Sequence, residues 1–153
     1  MAIAQSLQKY LAENGVAYET VHHTHTNSSM NSAYSAHIPG NLLAKSVILK
    51  DDNGYMMAVV PATEHVKTRK VNHALKRHFG IATEPELESL FTDCELGAIP
   101  AVAQPYSMEA VVDHKFDDCS DIYIEGGDHE ELVHIKGTAY RRLMKNSQHE
   151  NIC

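Results

Sequence analysis

Cysteine is scarce in this chain. Cys94, Cys119 and Cys153 are odd in number, far apart and free of any Cys-x-x-Cys spacing. That argues against a disulfide-stapled secreted scaffold and implies a reducing compartment, so a cytoplasmic protein is expected. Long apolar runs are missing too. No stretch approaches the length of a membrane span, and Lys9 and Glu13 interrupt the N-terminal segment that a targeting signal would need. Positive charge is in short supply: 13 Lys and Arg against 20 Asp and Glu leave a net charge of -7. Non-specific DNA binding is thereby disfavoured, and any nucleic-acid contact must use a local basic patch. The usual signatures of covalent or nucleotide chemistry are absent as well. There is no Gly-x-Ser-x-Gly elbow, no P-loop, no Gly-x-Gly-x-x-Gly and no cysteine beside a recognisable histidine motif, which argues against a covalent nucleophile. What remains is a chain of 153 residues, enough for one domain whose core needs no staples.

Ile3, Leu7, Tyr10 and Leu11 recur at helical spacing and Asn14-Gly15 supplies a stop, predicting a first helix from Ala2 to Glu13. Val16 to His22 reads as a strand, followed by the polar connection His22-His23-Thr24-His25-Thr26-Asn27. These histidines could hold a metal, but no second cluster completes a ligand set, and a solvated loop without metal is the expectation. Asn27 or Ser28 caps a short helix to His37 carrying Met30, Ala33 and Tyr34 on one side, and Pro39-Gly40 ends it. After one further turn, Ser46–Leu49 and Tyr55–Val60 are apolar on both faces, as in strands covered on both sides. The Asp51–Gly54 stretch joins them as a hairpin, with Asn-Gly providing positive φ. Lys67 to His78 is a helix with Val71, Ala74 and Leu75 as its buried seam; its cations Lys67, Arg69, Lys70, Lys76 and Arg77 form the concentrated positive surface of the chain, with no acid inside the segment. It reads equally as a solvated face or a phosphate-contacting one. A helix from Glu84 to Phe91 begins with Pro85 in its first turn. Three strands follow, Glu109–Asp113, Asp121–Glu125 and Leu132–Lys136, then a helix from Gly137 to Lys145 and a frayed tail over 146–153. This order is neither strict β-α-β alternation nor all-β. It predicts a single α/β domain over 1–153 with a mixed, curled sheet and helices around it.

Two features carry the available chemistry. Lys45 opens the first hairpin strand and, by strand alternation, points the same way as Val47 and Leu49. An ammonium on an apolar wall must reach water or meet a polar or anionic partner. Gly97-Ala98-Ile99-Pro100 is a loop in which Gly97 can adopt backbone angles closed to other residues and Pro100 biases Ile99 to an extended form. A cation and a loop of backbone amides can position an ester and polarise its carbonyl.

Leu43-Ala44-Lys45-Ser46-Val47-Ile48-Leu49, then Met57-Ala58-Val59-Val60-Pro61, then Gly97-Ala98-Ile99-Pro100, then Tyr123-Ile124-Glu125-Gly126-Gly127-Asp128-His129 together resemble the YbaK family of aminoacyl-tRNA deacylases. That family includes the editing domain of bacterial prolyl-tRNA synthetases and its free-standing relatives. The resemblance runs from Leu7 to Leu143 and implies a mixed sheet or partial barrel of six to seven strands. It implies a trans-acting hydrolase that cleaves the ester of a mischarged tRNA, removing a small amino acid, with tRNA-Pro as a candidate substrate, and that needs no metal or cofactor. Lys45 matches the motif lysine that holds carbonyl or phosphate oxygens, and Gly97, Ala98, Ile99 and Pro100 match the loop lining the terminal adenosine and the reacting centre. Gly126, Gly127 and His129 fall on the substrate-binding glycine pair and its following histidine. Met30, Val47 and Leu49 are the candidate side-chain sieve. Lys67, Arg69, Lys70, Lys76 and Arg77 would face acceptor-stem phosphates. The implied partners are the tRNA acceptor end and, as a second candidate, a synthetase, with neither membrane nor DNA. Glu125 stands where a serine is common, and Ala101-Val102-Ala103 replaces the usual Pro- and Gly-containing continuation. The competing reading is a non-catalytic module that binds aminoacyl-tRNA, an aminoacyl-adenylate or a synthetase.

Overall fold

In the computed structural model, residues 3–153 are described. Amphipathic spacing builds the helices: α1 (Gln5–Glu13), α2 (Ser29–Ser35), α3 (Thr68–Leu75), α4 (Glu84–Leu90) and α5 (Gly137–Leu143). The Ala2 start expected for α1 lies outside the described residues. Local chemistry sets several boundaries. Ser28 Oγ accepts from Asn31 N and caps α2, and Thr83 with Glu86 forms a reciprocal cap on α4. Lys76 adopts a left-handed conformation and ends α3 at Leu75, three residues before the expected end at His78. No helix is long and apolar enough to cross a membrane among the described residues.

The strands are β1 (Glu19–His22), β2 (Leu43–Asp51), β3 (Gly54–Pro61), β4 (Gly80–Ile81), β5 (Glu109–Asp113), β6 (Asp121–Glu125), β7 (Glu131–Lys136) and β8 (Gln148–Glu150). They form an open, mixed sheet in the order β1-β7-β6-β2-β3-β5-β8, with β4 pairing on β2. The mixed α/β sheet agrees with expectation; its eight strands exceed the six to seven expected. β4 overlaps the short extended piece that the sequence places at Ile81–Thr83. The unexpected strand is β8, which corrects the expected frayed tail: Gln148–Glu150 runs parallel to β5, and Ile152 is buried with its N–H held by Asp113. In the β2–β3 turn the positive φ falls on Gly54 rather than on Asn53, whose N–H is held by Asp51 Oδ1 at 2.9 Å.

Side-chain alternation divides the interior. Ala44 and Ile48 of β2, Met57 and Val59 of β3, and Val112 of β5 enter the main core with α1, α5 and the 98–103 segment. The opposite face carries two smaller clusters. Leu49, Met56, Val60, Val71 and Ile152 pack under α3, whereas Leu43, Ala33, Ala62 and Leu132 pack under α2. Lys45 belongs to this face and lies between Leu43 of one cluster and Val47 and Leu49 of the other. β2 also changes neighbours along its length, meeting β6 at Leu43–Ala44 and β4 at Leu49–Lys50. Between these short pairings its edge is left to loops: Ser46 Oγ donates to Ile99 O at 3.0 Å, and Ala82 N donates to Ile48 O at 2.9 Å. The glycine loop therefore arrives beside Lys45.

Candidate functional site

At this gap in the sheet lies a cleft of about 580 Å³ bordered by Asn27, Ser28, Ser29 and Met30 of the α2 start, Lys45 and Ser46 of β2, Ala62, Thr63 and His65 after β3, and Gly97. Such a volume is of small-molecule size. Lys45 is half-buried. Its Nζ makes one long contact, 3.5 Å to Ala62 O, so its donor capacity is largely unspent. Burial lowers its pKa, opposed by the nearby Glu64 and Cys153.

Gly97 is exposed and has φ +82°. A Cβ there would meet Asn27 O and the His129 ring at 3.2 Å. The rest of the loop turns inward: Ala98, Ile99 and Pro100 are buried, and the Ala98 N–H donates to Glu95 O at 3.1 Å. This corrects the expectation that all four residues present themselves to a ligand. Gly97 borders the cleft, whereas Ile99 is tied by its carbonyl to Ser46, a tether that strand patterning alone did not reveal.

Gly126 and Gly127 are also set back from the cleft. Gly126 O accepts from Ala4 N at 2.7 Å, Gly127 O accepts from Glu95 N at 2.7 Å, and a Cβ on Gly126 would lie 2.7 Å from Glu131 O. Both glycines allow α1 and the 93–97 loop to approach β6 and β7, a packing role in place of the expected ligand contact. His129, at φ 59°, is buried behind Gly97, and its Nε2 lies 2.7 Å from Leu96 O. Beside it Glu125, 1% exposed, accepts from Ser29 Oγ at 3.1 Å. Burial raises the Glu125 carboxyl to about 7, assisted by the charge of Asp128 and opposed by Ser29 and Ser32. The pairing of Glu125 with α2 was not legible beforehand.

Of the expected sieve residues, Met30 borders the cleft and is 45% exposed. Val47 and Leu49 do not border it. Leu49 is wholly buried in the cluster under α3, with Val47 packed against it. The basic segment divides as well. Arg77 is bound to Asp51 by Nε at 2.6 Å and Nη2 at 2.7 Å and reaches Glu109 at 3.5 Å. Lys70 Nζ donates to Cys153 O at 2.7 Å. Lys67, Arg69 and Lys76 are exposed. The acids that neutralise this surface come from distant strands, which is why a local charge count missed them. The N-terminal histidines diverge: His22 meets Glu131, His25 meets Glu95, and His23 bonds Thr24 O. Among the described residues no three His, Cys, Asp or Glu side chains are grouped as a metal site.

The architecture is thus an open mixed α/β sheet in which a gap in the pairing along β2 leaves a cleft bordered by Lys45 and Gly97. The same fold occurs in solved structures. A hypothetical protein superposes with TM-score 0.85 at 16% identity, covering 97% of this chain and 99% of the other. A candidate trans-editing enzyme for prolyl-tRNA synthetase gives 0.84 at 17% identity, with 97% and 94% covered. A Marinobacter aquaeolei protein described as a candidate signal transduction protein gives 0.78 at 18% identity over 96% of this chain and 30% of its own length. No curated protein matches the sequence. The model of the aminoacyl-tRNA editing domain matches residues 23–143, and the chain belongs to that family.

Proposed function

We propose that this chain is a single, trans-acting editing domain that works in the cytoplasm and hydrolyses the ester joining a small amino acid to the terminal adenosine of a mischarged tRNA, with tRNA-Pro the first candidate. The observation that carries the reading is that Lys45 and Gly97, far apart in sequence, border one cleft. The ammonium, short of partners, is available to an ester carbonyl or phosphate oxygen, and its attraction for oxygen grows as negative charge develops in the tetrahedral intermediate. Gly97 lets the backbone approach where a side chain would collide with Asn27 and His129. Water attacks the carbonyl carbon, and the ribose oxygen leaves with a proton. An aminoacyl ester is activated, so orientation and charge stabilisation supply much of what the reaction needs.

Met30 at the rim and the short Ser28–Ser29 stretch restrict the space for the amino-acid side chain. The exposed Lys67, Arg69 and Lys76 are the cations left for acceptor-stem phosphates. Support for a prolyl-tRNA substrate comes from the structural neighbour described as a candidate trans-editing enzyme for prolyl-tRNA synthetase. The test is incubation with a panel of mischarged tRNAs beside Lys45→Ala. Deacylation of at least one member, lost in the variant, is expected. Binding without turnover of any member would overturn the enzymatic reading in favour of a recognition module.

A further inference from the structure

Behind the cleft, two buried side chains are each half satisfied. Glu125 Oε2 accepts from Ser29 Oγ at 3.1 Å, while its Oε1 has no partner. His129 Nε2 sits 2.7 Å from Leu96 O, while its Nδ1 has no partner and lies 3.9 Å from Glu125 Oε2. A carbonyl only accepts, so Nε2 must carry a hydrogen, and in the neutral imidazole Nδ1 then has the lone pair. A carboxylate facing that lone pair repels it. A carboxylic acid does not, because its O–H can be donated to Nδ1 after a movement of about 1 Å. If Glu125 loses the proton, the imidazole's remaining hydrogen is drawn to Nδ1, and a bare Nε2 is left against the Leu96 carbonyl. The proton at Glu125 and the bond to Leu96 therefore persist or fail together.

We propose that Glu125 is a positioning residue of the cleft: bearing a proton, it keeps His129 in the Nε2–H tautomer and so holds the Leu96–Gly97 turn at a fixed spacing from α2. Its second bond, to Ser29, reaches the opposite wall, so a single carboxyl group spans both sides of the site. Burial favours the neutral acid and the charge of Asp128 adds to it, against the hydroxyls of Ser29 and Ser32 on α2, which favour the carboxylate. From the 23–28 segment, His25 stands edge-on to His129 at 5.7 Å between ring centres and is turned to Glu95 at 3.1 Å, and His23 is bonded to Thr24 O. Glu131 of β7 is engaged with His22. None of these is a lysine or arginine that would hold Glu125 ionised.

This inference rests on the deacylase reading for its effect on turnover, and its test has one arm that does not. In the first arm, wild type, Glu125→Gln and Glu125→Ala are assayed on the mischarged tRNA panel across neutral pH, each rate divided by the uncatalysed ester hydrolysis at that pH. A glutamine amide can donate to Nδ1 and accept from Ser29 without titrating. Wild type is expected to lose about tenfold between pH about 6 and 8, as one ionisation centred near 7 dictates. Glu125→Ala should be impaired throughout, and Glu125→Gln should rescue it with a flat profile. In the second arm, nitrogen NMR of the substrate-free protein reads the His129 tautomer, which should pass from Nε2–H to Nδ1–H in wild type as pH rises and stay Nε2–H in Glu125→Gln. A glutamine profile superposing on wild type, or a wild-type tautomer insensitive to pH, overturns the proposal. If no tRNA is deacylated, the deacylase reading fails and the NMR arm, which requires no tRNA and no turnover, still decides whether Glu125 controls His129.

Discussion

Arg77 and Lys45 are both cations bordering the β2–β3 hairpin, at its opposite ends, and they face different surroundings. Arg77 spends its guanidinium on Asp51 in a bidentate contact, reaches Glu109 and lies 4.5 Å over the Phe79 ring. It fastens the segment after α3 to the hairpin turn. Lys45 has a single 3.5 Å contact to a carbonyl and a cleft in front of it. A bidentate guanidinium is committed by its geometry, whereas an ammonium short of partners retains donors for a ligand. Net charge and charge clustering do not distinguish the two; the partners do.

The sharpest way to break this contrast is Lys45→Ala. It is expected to lower kcat/KM for deacylation by about 100-fold or more while changing stability by no more than about 0.5 kcal/mol, checked by single-turnover kinetics and urea melts. Arg77→Ala should do the reverse, moving the urea midpoint down while leaving turnover near wild type. A large kinetic loss there would show that Arg77 is not merely structural.

The next test separates the two faces of the sieve expectation. Leu49→Ala is expected to cost about 2–5 kcal/mol of stability, as other buried leucines do, with the ranking of amino acids removed left intact. Met30→Ala should instead admit larger side chains at little cost in stability, read from relative kcat/KM across mischarged tRNAs. Gly97→Ala comes after these. Its positive φ and the 3.2 Å approach to Asn27 O and His129 predict a loss of about 1 kcal/mol of stability and about tenfold in kcat/KM.

Two carboxyls extend the comparison to pH. Asp51, held down to about 2 by Arg77, contributes stability that is full above its unfolded value near about 3.9 and is lost as pH falls toward 2. Glu125, raised to about 7 by burial, has the opposite sign. The unfolded chain ionises near about 4.3 while the folded chain keeps its proton, so stability declines as pH rises from there to about 7. Glu125→Gln should remove that second slope alone, and urea midpoints measured against pH would show it. The smallest effect is expected from Lys76→Ala, which should weaken tRNA binding a few-fold and reduce the slope of log affinity against log salt by about one.

Much of the fold was legible because its signals are local. The Ser28 cap, the Thr83–Glu86 box and the apolar hairpin strands each depend on residues close in sequence, and the corresponding elements formed within a few residues of expectation. The misses involve distant partners. The tail over 146–153 looked frayed because nothing near it offers a strand, yet β5 supplies an edge 35 or more residues away in the chain. The basic segment looked unpaired because its acids, Asp51 and Glu109, lie in other strands. Val47 and Leu49 were placed beside Lys45 correctly by alternation, but alternation assigns a face of the sheet and not the position of a cleft on that face.

The amino-acid order by itself determined every element but the last strand, the mixed sheet and two short motifs, Lys45 and the Gly97 loop, because hydrophobic period, caps and turn chemistry act over a few residues. Tertiary structure alone decided which cations are free, which loop residues meet the cleft, and that Glu125 lies buried against His129 and Ser29. Those outcomes depend on which distant groups are brought within hydrogen-bonding range and removed from water, and that is settled only when the strands and helices pack together.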